Sequence, residues 1–249
     1  METILPVYKH RSETPLEAIQ RIKIAYPEYA ELPMTYAGRL DPMADGLLLL
    51  LAGETCKEKE KYTGLDKEYY VDIVWGISTD TYDVLGCVTE FGIPEKPDIT
   101  ALKSVLDTHI TTSMQKYPRF SSKPINGTPM ALLARDGEKI AENDIPTHEV
   151  TIYSADIIAT EKIPGNTLYD GIKADIEQVT GEFRQNESIQ SWKDSVDMNY
   201  EYSITRISVS CSSGTYMRQL VHDIGERLSI PACAYRIYRR SIGDRWRLK

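Results

Sequence analysis

Five consecutive leucines, residues 47–51, followed by Ala52 and bracketed by Gly46 and Gly53, form the longest apolar run of the chain. The run is far below the roughly 20 residues that a membrane helix needs, and it is too short and too uniformly apolar for an amphipathic helix. It reads as a strand buried on both faces, flanked by other layers of structure. Residues 67–78 alternate with period 2: Tyr69, Val71, Ile73 and Trp75 share one face of a strand, and Tyr70, Asp72 and Val74 the other.

Helical signals stand between these strands. Thr14-Pro15-Leu16-Glu17 is a capping box with Pro at the first helical position, and Leu16, Ile19, Ile22 and Tyr26 recur at helical spacing, which predicts a helix over about 15–26. A second helix starts near Asp98 or Thr100 and buries Leu102, Val105, Leu106 and His109. Residues 117–137 are rich in Pro, Ser, Asn and Gly and read as a surface excursion of the kind that often meets ligands. From Tyr202 the order is strand (Ile204, Ile207, Val209, Cys211), turn (Ser212-Ser213-Gly214) and helix (Leu220, Val221, Ile224, Leu228). The fold class is α/β in the α+β sense, a mixed, largely antiparallel central sheet flanked by helices and loops.

At 249 residues and 41% hydrophobic content the chain has material for one large domain, and disorder is excluded as its main state. The N-terminus has no basic segment followed by an apolar one, so the expected location is cytoplasmic, with no membrane contact. Cys56, Cys87, Cys211 and Cys233 lie far apart, with no His at metal-ligand spacing, and read as reduced core thiols. The net charge of −8 argues against bulk electrostatic coating of nucleic acid. Residues 201–249, however, carry nine basic against four acidic side chains, whereas residues 151–200 carry four against nine. A basic C-terminal patch with Arg236, Arg239, Arg240, Arg245 and Arg247 is the expected phosphate-contacting surface, unless these arginines pair with the acidic stretch.

The stretch most suggestive of chemistry is Ala37-Gly38-Arg39-Leu40-Asp41-Pro42-Met43-Ala44-Asp45-Gly46, immediately before the apolar strand. On spacing alone, Asp41-Pro42 reads as turn or cap punctuation. The stretch nevertheless resembles the Gly-x-Leu-Asp-Pro-x-Ala-x-Gly signature of the TruB-type tRNA pseudouridine synthases. The resemblance continues in order through Gly53-Glu54-Thr55-Cys56-Lys57, Lys67-Glu68-Tyr69, Thr79-Asp80-Thr81-Tyr82-Asp83-Val84-Leu85-Gly86, Ala134-Arg135-Asp136-Gly137 and Gly214-Thr215-Tyr216-Met217-Arg218, with a last echo at Tyr238-Arg239-Arg240. The opening from Lys9 to Pro15 is similar only loosely.

What the resemblance implies is a uridine-to-pseudouridine isomerase, at position 55 of the tRNA T-loop, that needs no cofactor and no metal. Asp41 would be the nucleophile, Tyr69 the aromatic wall against the detached base, and Arg218 the cation that fixes the carboxylate through a planar fork. Tyr216, Lys57 and Asp83 would complete the substrate-binding pocket. The family commonly has His at Tyr36 and a small residue at Arg39; Tyr36 would stack and Arg39 would fill the space left by the extruded nucleotide. The Lys of the family's excursion motif is shifted by one at Lys123.

The expectation is therefore one catalytic domain over residues 1–249, with an RNA-contacting excursion at about 115–150 and no C-terminal PUA-like domain, acting as a monomer on the T-arm of tRNA. Two rival readings are a catalytically inactive RNA-binding or tRNA-folding module of the same fold, and a hydrolytic nucleosidase or glycosidase using Asp41 with Asp45 or Asp83. Retention of Asp41, Tyr69 and Arg218 together favours the isomerase.

Overall fold

The computed structural model describes residues 2–92, 97–138 and 140–248. In chain order the elements are β1 (Ile4–Lys9), α1 (Pro15–Ala25), β2 (Met34–Ala37), β3 (Ala44–Ala52), α2 (Lys59–Thr63), β4 (Lys67–Trp75), β5 (Ile77–Thr79), β6 (Val88–Phe91), α3 (Ile99–His109), β7 (Thr112–Lys116), β8 (Pro124–Ile125), β9 (Thr128–Pro129), α4 (Met130–Arg135), β10 (Thr147–Pro164), α5 (Gly165–Glu177), α6 (Gln185–Ser195), β11 (Glu201–Cys211), α7 (Met217–Leu228), β12 (Ala232–Ile242) and β13 (Trp246–Arg247). Among the described residues nine strands share one sheet, ordered β1-β3-β12-β4-β11-β10-β7, with β2 on β3 and β13 on β12. In that sheet β3 and β12 run parallel and the other described pairs antiparallel. No described helix is long and apolar enough to cross a membrane.

The apolar run forms the heart of β3 and is buried on both sides. Leu48 and Leu50 join Ala18, Ile19 and Ile22 of α1, while Leu47, Leu49 and Leu51 join Tyr62 and Ile242. The capping box forms as the sequence predicts: Glu17 N donates to Thr14 Oγ1 at 3.2 Å and Thr14 N to Glu17 Oε2 at 2.7 Å. Leu16 departs from the expected stripe and is exposed, as is Tyr26 past the helix end. The buried stripe is Pro15, Ala18, Ile19 and Ile22, to which Leu16 is rotated by one position.

Two further cores flank the sheet. Helices α3 and α7 cover Val71, Ile73, Trp75, Ile207 and Val209 on one face, and α5 and α6 cover Val74, Ile204 and Cys233 on the other. The excursion between β7 and β10 closes at its base, where Tyr117 N donates to the Pro146 carbonyl at 3.1 Å, and it carries the β8–β9 hairpin and α4 rather than being irregular throughout.

Candidate active site

The loop of residues 38–43 enters β3 held by two buried cations, Arg239 and Lys9. Arg239 is almost fully buried and donates to the carbonyls of Leu47 at 2.7 Å, Gly38 at 3.1 Å and Arg39 at 3.2 Å. Lys9, equally buried, donates to the Pro42 carbonyl at 3.3 Å and to those of His10 and Glu13, and burial lowers its pKa to about 8. Gly46 takes φ +109°, and a Cβ there would collide with the backbone of Arg239, so the last glycine of the motif is required by close strand approach. Backbone carbonyls that would otherwise be orphaned are thus satisfied around Asp41.

Asp41 and Arg218 meet in this frame. Arg218 Nε donates to Asp41 Oδ2 at 2.8 Å, its Nη1 to the Thr81 carbonyl at 2.7 Å and its Nη2 to the Phe120 carbonyl at 3.4 Å. The guanidinium therefore does not make the fork onto Asp41 that the sequence reading expects; it gives Nε to the carboxylate and Nη1 and Nη2 to two backbone carbonyls, tying three loops together. Asp83 Oδ2 lies 3.6 Å from Arg218 Nε, while its Oδ1 accepts from Thr81 Oγ1 at 2.6 Å and Leu85 N at 3.0 Å. Burial works against the Arg218 charge, yet Asp41 and Asp83 more than offset it and hold the guanidinium above its ordinary value. Burial pushes the Asp83 carboxyl up, with Arg218 pulling the other way. Of the two acids, Asp41 is the accessible one: its side chain is 28% exposed against 6% for Asp83.

Both acids open onto a cleft of about 340 Å³, whose walls include Arg39, Pro42, Thr81, Leu85, Phe120, Leu132, Arg135, Phe183, Arg184, Tyr216 and Arg218. Tyr216 caps α7 and exchanges two hydrogen bonds with Gln115, its N donating to Oε1 at 2.8 Å and its carbonyl accepting from Nε2 at 3.1 Å. Burial, followed by the nearby Asp41 charge, raises its phenol to about 12. Tyr69 is buried in the sheet, and burial raises its phenol, with the Arg239 charge acting the other way and Asp41 adding to the rise.

Two residues lie elsewhere. Tyr36 sits on β2 opposite Leu50, packs on the α1 side and lies under the Lys59 ammonium, 5.2 Å from its ring centroid. At about 3.3 Å per residue, β3 carries the chain roughly 20 Å between Ala44 and Leu50, which removes Tyr36 from the cleft. Lys57 lies beyond the end of β3, exposed, in an i,i+3 pair with Glu54 at 2.5 Å. The basic C-terminal patch is also divided. Arg239 is internal, Arg247 pairs with Glu68, and Arg240, Arg236 and Arg245 lie over the rings of Tyr70, Tyr235 and Trp246.

Sequence reasoning missed Lys9, Arg239, Phe120 and Arg184. The first was signalled by the loosely matching opening segment, and the second by strand alternation, which sends Arg239 and Arg240 to opposite faces. Phe120 lies within the excursion expected to meet ligands, whereas Arg184 had no signal in the polar stretch around it.

Comparison with known proteins bears on the family and the fold. The family model described as TruB family pseudouridylate synthase (N terminal domain) matches residues 31–169. A protein named tRNA pseudouridine synthase B from Caldanaerobacter subterraneus is 28% identical over 209 residues, covering 84% of this chain and 59% of the relative. One of the same name from Aquifex aeolicus is 26% identical over 230 residues, covering 92% and 64%. The chain thus spans a little over half the length of such relatives. Among solved structures, a Cbf5-Nop10-Gar1 complex superposes with TM-score 0.58 at 13% identity, covering 96% of this chain and 48% of the matched one. An H/ACA RNP bound to a substrate RNA containing 2'-deoxyuridine gives TM-score 0.55 at 14% identity, with 96% and 47% covered. These two likenesses concern the fold.

Proposed function

The chain belongs to the TruB family of pseudouridylate synthases, and from that premise we propose that it isomerises uridine to pseudouridine in the T-loop of tRNA with Asp41 as the nucleophile. The observation that carries this reading is the ion pair of Asp41 with the buried Arg218 at the floor of a cleft that leaves Asp41 accessible. The carboxylate attacks the ribose as the N1 glycosidic bond breaks. The uracil, released as its anion, turns while bound; C5 then bonds to C1′ as the ester bond to Asp41 breaks and returns the carboxylate, and the C5 proton is lost while N1 takes one up. The steps need no redox change. Arg218 holds the Asp41 carboxylate in place through its Nε, because it is itself fixed by two backbone carbonyls.

Asp83 lines the cleft more deeply than Asp41, where it braces Arg218 and the Thr81 turn. Tyr69 holds the base by its face, and Tyr216 closes the wall nearest Asp41. Arg39, exposed at the rim, meets the RNA around the extruded nucleotide. The domain works on folded RNA as a monomeric cytoplasmic enzyme.

The test is incubation of the protein with a uridine-labelled T-arm hairpin. Formation of pseudouridine supports the reading. Release of free uracil would instead identify a nucleosidase, and binding without product an RNA-folding module.

A further inference from the structure

Strands β10 and β11 are antiparallel neighbours that pair to their ends, Pro164 opposite Glu201. Such a pair is ordinarily closed by a turn of about two to five residues. Here residues 165–200 intervene as α5, a tip at 181–184 and α6. Besides covering one face of the sheet, α6 grips the segment that bears Asp83: Trp192 Nε1 donates to the Val84 and Gly86 carbonyls, both at 3.1 Å, and Ser188 Oγ to the Leu85 carbonyl at 2.7 Å. The tip is built rather than loose. Gln185 accepts from Phe183 N at 3.0 Å and donates to the carbonyls of Val179 at 3.0 Å and Gly181 at 2.7 Å.

This tip places Phe183 and Arg184 in the wall of the cleft. Arg184 Nη1 donates to Asp80 Oδ2 at 2.8 Å, and the guanidinium lies over Phe120, 4.5 Å from the ring centroid. The Arg184 charge is therefore neutralised inside the protein, and residues 165–200 carry seven acidic against three basic side chains. A phosphate gains little from such a wall. A half-buried wall that offers two phenyl rings and a planar cation suits a nucleobase instead.

We propose that the α5–α6 tip and Phe120 form a second base-binding subsite, in which Phe120, Phe183 and Arg184 stack the nucleobase of a nucleotide flanking the isomerised uridine and so determine which RNA is accepted. The subsite rests on the reading of the cleft as an RNA uridine site, and it adds a specificity wall that the isomerisation chemistry does not require.

The test is a coupling cycle between protein and RNA. T-arm hairpins carrying either the natural base or an abasic residue at each neighbour of the target are compared, by kcat/KM and by Kd, in the parent, Phe183→Ala and Arg184→Lys. Arg184→Lys keeps the charge beside Asp80 and removes the plane, so it guards against misfolding of the tip. In the parent, the abasic change at one neighbour should cost about tenfold or more. Phe183→Ala should lose a similar factor on the natural hairpin and nothing further on the abasic one. A parent indifferent to both abasic changes, or a penalty that persists undiminished in both variants, overturns the subsite. An abasic penalty seen in Kd with no pseudouridine formed would overturn the activity and leave the subsite standing.

Discussion

Arg218 Nε stands 2.8 Å from Asp41 Oδ2, with its side chain 4% exposed and its remaining donors on the carbonyls of Thr81 and Phe120. An ammonium has neither the reach nor the planar set of donors to satisfy these groups together. Arg218→Lys should therefore lower kcat by at least about a hundredfold and destabilise the fold by roughly 1–3 kcal/mol, the scale for leaving buried acceptors without their donors. Turnover and urea denaturation of the variant check both halves; parent-like values would place Arg218 outside the chemistry.

Adjacent arginines should behave oppositely. Arg239→Met leaves the carbonyls of Gly38, Arg39 and Leu47 without their donor and should cost several kcal/mol with loss of activity. Arg240→Ala removes a guanidinium that lies over Tyr70 at the surface and should change stability by less than about 1 kcal/mol. Chemical denaturation of the two single variants decides it, and equal effects would contradict the assignment of Arg239 to the frame of the loop.

Period-2 alternation carries that distinction, since neighbouring strand residues point to opposite faces, although the sequence reading grouped both arginines in one basic patch. The same local signals fixed the capping box at Thr14, the two-sided burial of residues 47–51 and the strand-turn-helix unit ending in α7. Residues 138–201 offered no comparable signal. The strand β10 changes environment along its length, open to solvent near its end, and α6 is polar apart from short contacts such as Ser188 and Trp192. Tyr36 and Lys57 lie outside the walls of the cleft for a geometric reason: β2 pairs with the far end of β3, and Lys57 follows that end. The Asp41–Arg218 pair was legible because both residues sit in matching motifs, whereas the single-donor geometry depends on loops that come together only in the fold.

Acid should weaken the fold through His109. Its Nε2 is buried without a hydrogen-bond partner, and burial, with Arg227 nearby, lowers its pKa to about 4 against the ordinary 6.5. The unfolded chain then binds more protons between those two values, so the His109 contribution is fully present above pH 6.5 and is lost as pH falls through 4. His109→Gln should flatten the fall of the urea midpoint between pH 7.5 and 4.5 and leave turnover at neutral pH unchanged. An unaltered acid slope would refute this.

The central claim is that Asp41 performs the chemistry and the rest of the cleft holds the RNA. An amide is a far weaker nucleophile of nearly the same shape. Pseudouridine formation from a T-arm hairpin, measured beside the hairpin's Kd for the parent and Asp41→Asn, should show turnover reduced at least about a thousandfold with affinity kept within a few fold. Turnover in Asp41→Asn close to that of the parent would contradict the account.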